Sequence, residues 1–138
     1  MVARVVALTI PIDASGWLHT GDLGILDEAG YLQVTGRIKD VFIVGGFNCY
    51  PAEIEKVLFG HDAIAQVAIS AAPDDRLGDV GIAHVVLAPN DELTADELIG
   101  WARERMANYK VPRHVLFTAS LPLDAAGKVL RHELPSVA

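Results

Sequence analysis

Gly36-Arg37-Ile38-Lys39-Asp40-Val41-Phe42-Ile43-Val44-Gly45-Gly46-Phe47-Asn48-Cys49-Tyr50-Pro51-Ala52-Glu53-Ile54-Glu55 is the stretch on which the fold of this chain turns. Val41 to Val44 is a short β-branched and aromatic run, and Gly45-Gly46 stops it. Tyr50-Pro51 then opens a helix with proline in its first turn, where a missing N–H leaves no bond unmade. The spacing predicts a helix from Pro51 to Leu58, and Glu53 and Glu55 near its start suit the positive end of its dipole.

Upstream, Ile25-Leu26-Asp27-Glu28-Ala29-Gly30-Tyr31-Leu32-Gln33-Val34 sets a polar turn between two apolar stretches, the pattern of a hairpin with strands near 23–26 and 31–35. Downstream, Ile64 to Ala71 and Gly81 to Leu87 are rich in Val, Ile and Ala, and Pro73-Asp74-Asp75-Arg76-Leu77-Gly78 between them has turn chemistry. These two runs are expected to pair as antiparallel strands. Thr94-Ala95-Asp96-Glu97 offers a capping box, and Leu98, Trp101, Ala102 and Arg105 follow at helical spacing, so a helix is expected over 95–107. His114 to Thr118 reads as a strand and Val129 to Leu134 as a final short helix. The order predicts an α+β fold, a small sheet of about three strands with two to three helices, preceded by a β-hairpin segment. The expected boundary is Lys39-Asp40, dividing residues 1–38 from 39–138.

With 138 residues, 51% hydrophobic and 21% charged, the chain suits one compact globular domain. A formal net charge of -7 argues against a nucleic-acid partner, because neutralising phosphates needs clustered Lys and Arg. The single Cys49 excludes an internal disulfide and lacks zinc-cluster spacing, which makes a cytoplasmic location the expectation. No apolar run approaches the roughly 20 residues of a transmembrane helix. Val5 to Ile12 is too short for that and runs into Asp13 without a cleavage site, so it reads as a strand or a ragged end. His19, His61, His84, His114 and His132 share no helix face or ligand spacing, and no metal site is expected. Asp74, Asp75 and Asp79 read as a solvated acidic loop.

Thr20-Gly21-Asp22, the run from Gly36 to Glu55, and Gly127-Lys128 resemble, in order and spacing, the C-terminal part of an acyl-CoA synthetase of the adenylate-forming superfamily, which also holds peptide-synthetase adenylation domains and luciferases. Gly46-Phe47-Asn48-Cys49-Tyr50 and Met106-Ala107-Asn108-Tyr109-Lys110-Val111-Pro112 resemble the actinobacterial-type synthetases in particular. The resemblance implies a reaction in which ATP, with Mg2+, activates a fatty or related carboxylic acid as an acyl-adenylate, and the acyl group then passes to the thiol of coenzyme A. It implies that residues 1–38 are a remnant of the large N-terminal domain and that 39–138 are its mobile C-terminal lid.

The resemblance also implies roles. Asp22 matches the carboxylate that binds the ATP ribose, a task for which its two oxygens can accept from a vicinal diol; on its own Thr-Gly-Asp also reads as a turn. Arg37 matches an Arg at the ribose or phosphates, against a solvated Arg at a strand end. Lys39 matches the hinge, whose backbone swings the lid between two poses. Gly45, Gly46 and Phe47 match the loop that meets the pantetheine arm of CoA; paired glycines let backbone come close to a slender ligand, and equally make a tight turn. Lys128 matches the catalytic lysine of adenylation, a cation set between the carboxylate and the α-phosphate; Gly-Lys alone is also an ordinary loop. Leu123 and Asp124 depart from the usual motif, where a basic or small polar residue and then Asn or Thr are common. Cys49 reads as a packing variant rather than a nucleophile. Arg103, Arg105, Lys110 and Arg113 are the one basic concentration, either a CoA phosphate contact or a helix surface.

The phosphate loop, adenine site and acyl pocket of such enzymes lie in the large domain, the implied partner along with CoA and the acyl-adenylate. The chain reads as a fragment or a truncated reading frame, inactive alone and holding none of these ligands tightly. Residues 13–38 then expose Trp17, Leu18 and Leu32, a patch that invites self-association. Two alternatives stand beside this reading: a stand-alone or decayed interaction module that keeps the fold, and a lid that loads a carrier protein. The Tyr50-Pro51-Ala52-Glu53 form favours CoA ligases over the latter.

Overall fold

A hairpin comes first: β1 (Asp22–Leu26) pairs antiparallel with β2 (Leu32–Arg37). The computed structural model describes residues 12–137, and the strand or ragged end expected over Val5 to Ile12 lies, apart from Ile12, outside them. The hairpin turn is built by one side chain. Asp27 Oδ1 accepts from the N–H of Ala29 at 2.9 Å and of Tyr31 at 2.8 Å, while Gly30 takes φ +87, the left-handed conformation that closes such a loop.

After a short 3-10 turn, Ile38–Asp40, come β3 (Phe42–Val44), β4 (Phe47–Cys49) and the helix α1 (Pro51–Leu58). β5 (Ile64–Asp74) and β6 (Gly78–Leu87) form the long central antiparallel pair. Helix α2 (Ala95–Arg103), a 3-10 turn Asn108–Lys110, β7 (His114–Phe117) and a 3-10 turn Arg131–Glu133 complete the chain. β6 carries β5 along one edge; along the other, β7 pairs parallel over Ile82 to Val85, and β3 meets Gly78 through Val44.

The fold is α+β as expected, but its main sheet has five strands rather than about three. The extra strand is β4, because Gly45-Gly46 turns β3 back on itself instead of ending it. β5 and β6 also run further than their apolar residues suggested. Asp74 Oδ1 accepts from Arg76 and Leu77 N–H, both at 2.9 Å, so the turn tightens to 75–77, and Pro73 and Asp79 pair within the strands. Asp74 and Asp79 are thus strand ends, not members of a solvated loop. Helix α2 has the expected capping box, with Thr94 N–H donating to Glu97 Oε2 at 2.8 Å, and that bond holds the Glu97 carboxyl below the usual carboxylate range. It stops at Arg103, short of residue 107, and the chain past it bends so that Arg105 Nη1 donates to Trp101 O at 2.9 Å. The final helix is the 3-10 turn only.

The two helices cover one face of the sheet, where Ile54, Leu58, Leu98 and Ala102 pack with Ile69, Ala83 and Val85. On the other face a smaller cluster of Ala72, Val80 and Ile82 lies under Leu116 and Val137, so the C-terminal segment is the second cover. His84, 1% exposed on β6, belongs to this side. Its Nε2 lies 2.8 Å from Ser70 Oγ, and Nδ1 has no partner among the described residues. Burial first, and the charge of Arg131 second, hold the His84 pKa below its ordinary value.

An unfolded chain therefore takes up a proton near pH 6.5 that the folded chain refuses, and stability is full above that pH and falls below it. Denaturant unfolding is expected to show stability declining from about pH 6.5 towards pH 5, and His84→Gln to flatten that slope, whatever its effect on stability at pH 8.

Candidate functional site

Register alone brings two of the candidate residues together. Asp22 and Arg37 face each other across the open end of the first hairpin, with Arg37 Nε 3.3 Å from Asp22 Oδ1 and both side chains partly exposed. Ile38 N–H donates to Gly21 O at 2.9 Å, and Asp22 N–H to Thr20 Oγ1 at 3.2 Å, so Thr-Gly-Asp and Gly-Arg form one tied corner. A carboxylate beside a guanidinium there offers an acceptor pair and a donor fork to a polar ligand. Lys39 follows at once, exposed in the 3-10 turn between hairpin and main sheet.

At the other end of β3, Gly45 and Gly46 take φ +56 and +87, so both residues of this two-residue hairpin loop sit where a side chain would be strained. Gly45 N–H donates to Leu77 O at 2.8 Å, which docks the loop on the β5–β6 turn. Phe47 is 57% exposed and stacks on Tyr109 with ring centroids 4.6 Å apart. Cys49 beneath is fully buried with its thiol on Tyr109 O, and burial pushes its pKa up, the surroundings of a packing residue. The basic concentration is partly engaged: Lys110 bonds Glu53, and Arg105 lies 4.1 Å from the Trp101 ring centroid and 3.3 Å from Glu104.

Lys128 is exposed at the close of a turn held by Asp124. Asp124 Oδ1 accepts from Ala126 N–H at 2.8 Å and Lys128 N–H at 2.9 Å, Asp124 N–H donates to Lys128 O at 2.8 Å, and Gly127 has φ +80. Asp13-Ala14-Ser15-Gly16-Trp17 and Asp27-Glu28-Ala29-Gly30-Tyr31 close in the same way, with Asp13 accepting from Ser15 and Trp17. The departure at Asp124 therefore keeps the turn, since an Asp oxygen accepts there as an Asn oxygen would. Leu123 bridges Val129 across its base.

No hydrogen bond or ion pair among the described residues joins the Asp22–Arg37 corner, the Gly45-Gly46 loop and the Lys128 turn directly. Arg131, which the sequence did not single out, instead joins the C-terminal segment to α1, β5 and the 3-10 turn that holds Lys39. Its Nη1 donates to Glu55 Oε1 and to Ile69 O, both at 2.6 Å, its Nη2 to Glu55 Oε2 at 3.2 Å, and its Nε is 3.5 Å from Asp40 Oδ2. Burial works against this cation, but the hydrogen bond and charge of Glu55, with Asp40, outweigh it and raise its pKa. Among the described residues no group of three or more His, Cys, Asp or Glu side chains could hold a metal ion, and no helix is long and apolar enough to cross a membrane.

Residues 53–128 match the family model of the AMP-binding enzyme C-terminal domain. The chain is similar to a methyl-dioxo-octahydro-indenyl-propanoyl:CoA ligase of Rhodococcus jostii, 50% identical over 123 residues, covering 89% of this chain and 24% of the ligase. It is 44% identical over 126 residues to a feruloyl-CoA synthase of Amycolatopsis, covering 91% of this chain and 26% of the synthase. Among solved structures it is similar to the o-succinylbenzoate CoA synthetase of Bacillus subtilis in complex with its acyl-adenylate intermediate, with 42% identity and a TM-score of 0.84 over 91% of this chain and 26% of that one. The chain spans about a quarter of the length of these relatives.

If the Asp124 oxygen makes the turn, Asp124→Asn leaves stability within about 0.5 kcal/mol, and Asp124→Ala lowers it by about 1 kcal/mol. Amide exchange at Ala126 and Lys128, followed by NMR, is expected to accelerate in the alanine variant only.

Proposed function

The chain belongs to the AMP-binding enzyme C-terminal domain family, and we propose that it is the lid of an AMP-forming carboxylic-acid CoA ligase. The observation that carries this reading is Lys128, an exposed cation on a turn closed by Asp124, at the end of the matched span. Bringing a carboxylate to the α-phosphate of ATP sets like charges together, and a fixed cation between them stabilises the transition state. The carboxylate oxygen attacks phosphorus and pyrophosphate leaves. The CoA thiolate then attacks the acyl carbon and AMP leaves.

In this reading residues 1–38 are a remnant of the large adenylation domain, 39–138 move as the lid, and Lys39 is the pivot. Its exposure, and the short 3-10 turn that holds it, support a place where backbone rotation disturbs little packing. Asp22 and Arg37 take the ATP ribose and phosphate region. Gly45, Gly46 and Phe47 line the path of the CoA pantetheine, with close backbone approach permitted by the glycines. Mg2+ enters with ATP. The acyl-adenylate complex of the Bacillus subtilis synthetase supports the same intermediate here.

The exposed apolar residues Trp17 (72%), Leu18 (62%), Tyr31 (75%) and Leu32 (67%), before and within the first hairpin, favour a covered surface over 13–38. The large domain is the partner in the leading reading. Self-association through 13–38 and a stand-alone interaction module are the alternatives.

Mixing this chain with the separately made large domain of the Bacillus subtilis synthetase, o-succinylbenzoate, ATP, Mg2+ and CoA tests the assignment. Acyl-adenylate formation is expected to need both pieces and to fall at least about 100-fold with Lys128→Ala, while transfer from supplied acyl-adenylate to CoA stays within about threefold. Activity indifferent to that substitution, or none from a large domain that works with its own lid, would contradict it.

A further inference from the structure

We propose that Arg131 is the positioning residue for Lys128, holding the Lys128 turn at once against Glu55 of α1, Ile69 of β5 and Asp40 beside Lys39. The inference rests on the lid reading above. Its geometry does not: one guanidinium meets three elements far apart in sequence, at 2.6 Å to Glu55 Oε1, 2.6 Å to Ile69 O and 3.5 Å to Asp40 Oδ2.

Lys128 is otherwise weakly mounted. Its turn is closed internally by Asp124, and the base of the turn is pinned by the Leu123–Val129 bridge and Leu130 N–H to Pro122 O at 2.9 Å. These contacts fix the shape of the turn but not its place on the domain. Leu121, 7% exposed, anchors the segment that enters the turn, and Arg131, three residues past Lys128, anchors the segment that leaves it. Asp40 adds the coupling, since it follows Lys39 directly and the same guanidinium reaches it. A backbone rotation at Lys39 therefore carries Arg131, and with it Lys128, as part of one body. Glu55 Oε1 also accepts from Ile69 N–H at 2.8 Å, so the anchor point is itself fixed.

Arg131→Lys is the test substitution, because it keeps a cation near Glu55 but gives up the planar fork that meets three acceptors. In the paired assay, kcat for acyl-adenylate formation is expected to fall about 100-fold with KM for ATP within about twofold, as for a displaced catalytic group. Transfer from supplied acyl-adenylate is expected to hold within about threefold. Hydrogen exchange on the chain alone gives a second readout: the amides of Val41 and of Leu130 in the stem of the turn exchange at least about 10-fold faster, while those of α2, and of Ala126 and Lys128 closed by Asp124, do not change. A kcat within about twofold of the unsubstituted chain, or faster exchange confined to Ile69 and 131–134, overturns the proposal. If the unsubstituted pair makes no acyl-adenylate, the lid reading fails by itself, and the exchange pattern still decides whether Arg131 holds the turn. Should Arg131→Lys not fold, Asp40→Asn, which spares the Glu55 bond, carries the same readouts.

Discussion

The ion pair between Glu55 and Arg131 is the contact on which the arrangement of this domain depends. A guanidinium taken largely out of water must find acceptors for its donors, or the burial is unaffordable. Arg131 finds both oxygens of Glu55 and the carbonyl of Ile69, and it reaches Asp40 as well. These partners come from the first helix, the central sheet and the turn that leads in from the hairpin. The last stretch of chain is thereby fixed over the second face of the sheet, where Val137 packs on Ala72, Val80 and Ile82. His84 lies under the same cover, and its pKa is lowered by burial first and by the same cation second.

Around this anchor the domain places its candidate site residues at loop ends. Asp22 and Arg37 stand at the open end of one hairpin, Gly45-Gly46 at the tip of another, and Lys128 at the tip of a third. Three turns of the form Asp-x-x-Gly share one solution, an aspartate oxygen accepting from two backbone N–H groups while glycine supplies the left-handed residue. Such loops are stiff in themselves, and their placement is decided by what their stems touch. For the Lys128 turn, that is Leu121 on one side and Arg131 on the other.

What depends on near neighbours was legible in the sequence. Pro51 starts α1, Thr94 and Glu97 cap α2, and Gly30 closes the first hairpin, because each signal acts within four residues of itself. Gly45-Gly46 was ambiguous, since a pair of glycines reads alike as a stop or as a reversal, and β4 went unforeseen. The ends of β5 and β6 were hidden by Pro73, Asp74 and Asp79, which look like turn residues but pair in register. The candidate site divides in the same way. Asp22, Arg37, Gly45 and Lys128 could be picked out by motif, and the hairpin register then set Asp22 opposite Arg37. The stacking of Phe47 on Tyr109 and the bond of Arg131 to Glu55 join residues 62 and 76 positions apart, and no local pattern announces them.

A double-mutant cycle on Glu55 and Arg131, read by denaturant unfolding, tests this account most directly. Glu55→Gln and Arg131→Met are each expected to cost about 3 kcal/mol, and the pair together less than their sum by about 2 kcal/mol, since the second substitution removes a charge already left without its partner. Costs that add to within about 0.5 kcal/mol would mean that the two side chains lie near each other without depending on each other, and the C-terminal segment would then be held by its apolar contacts alone.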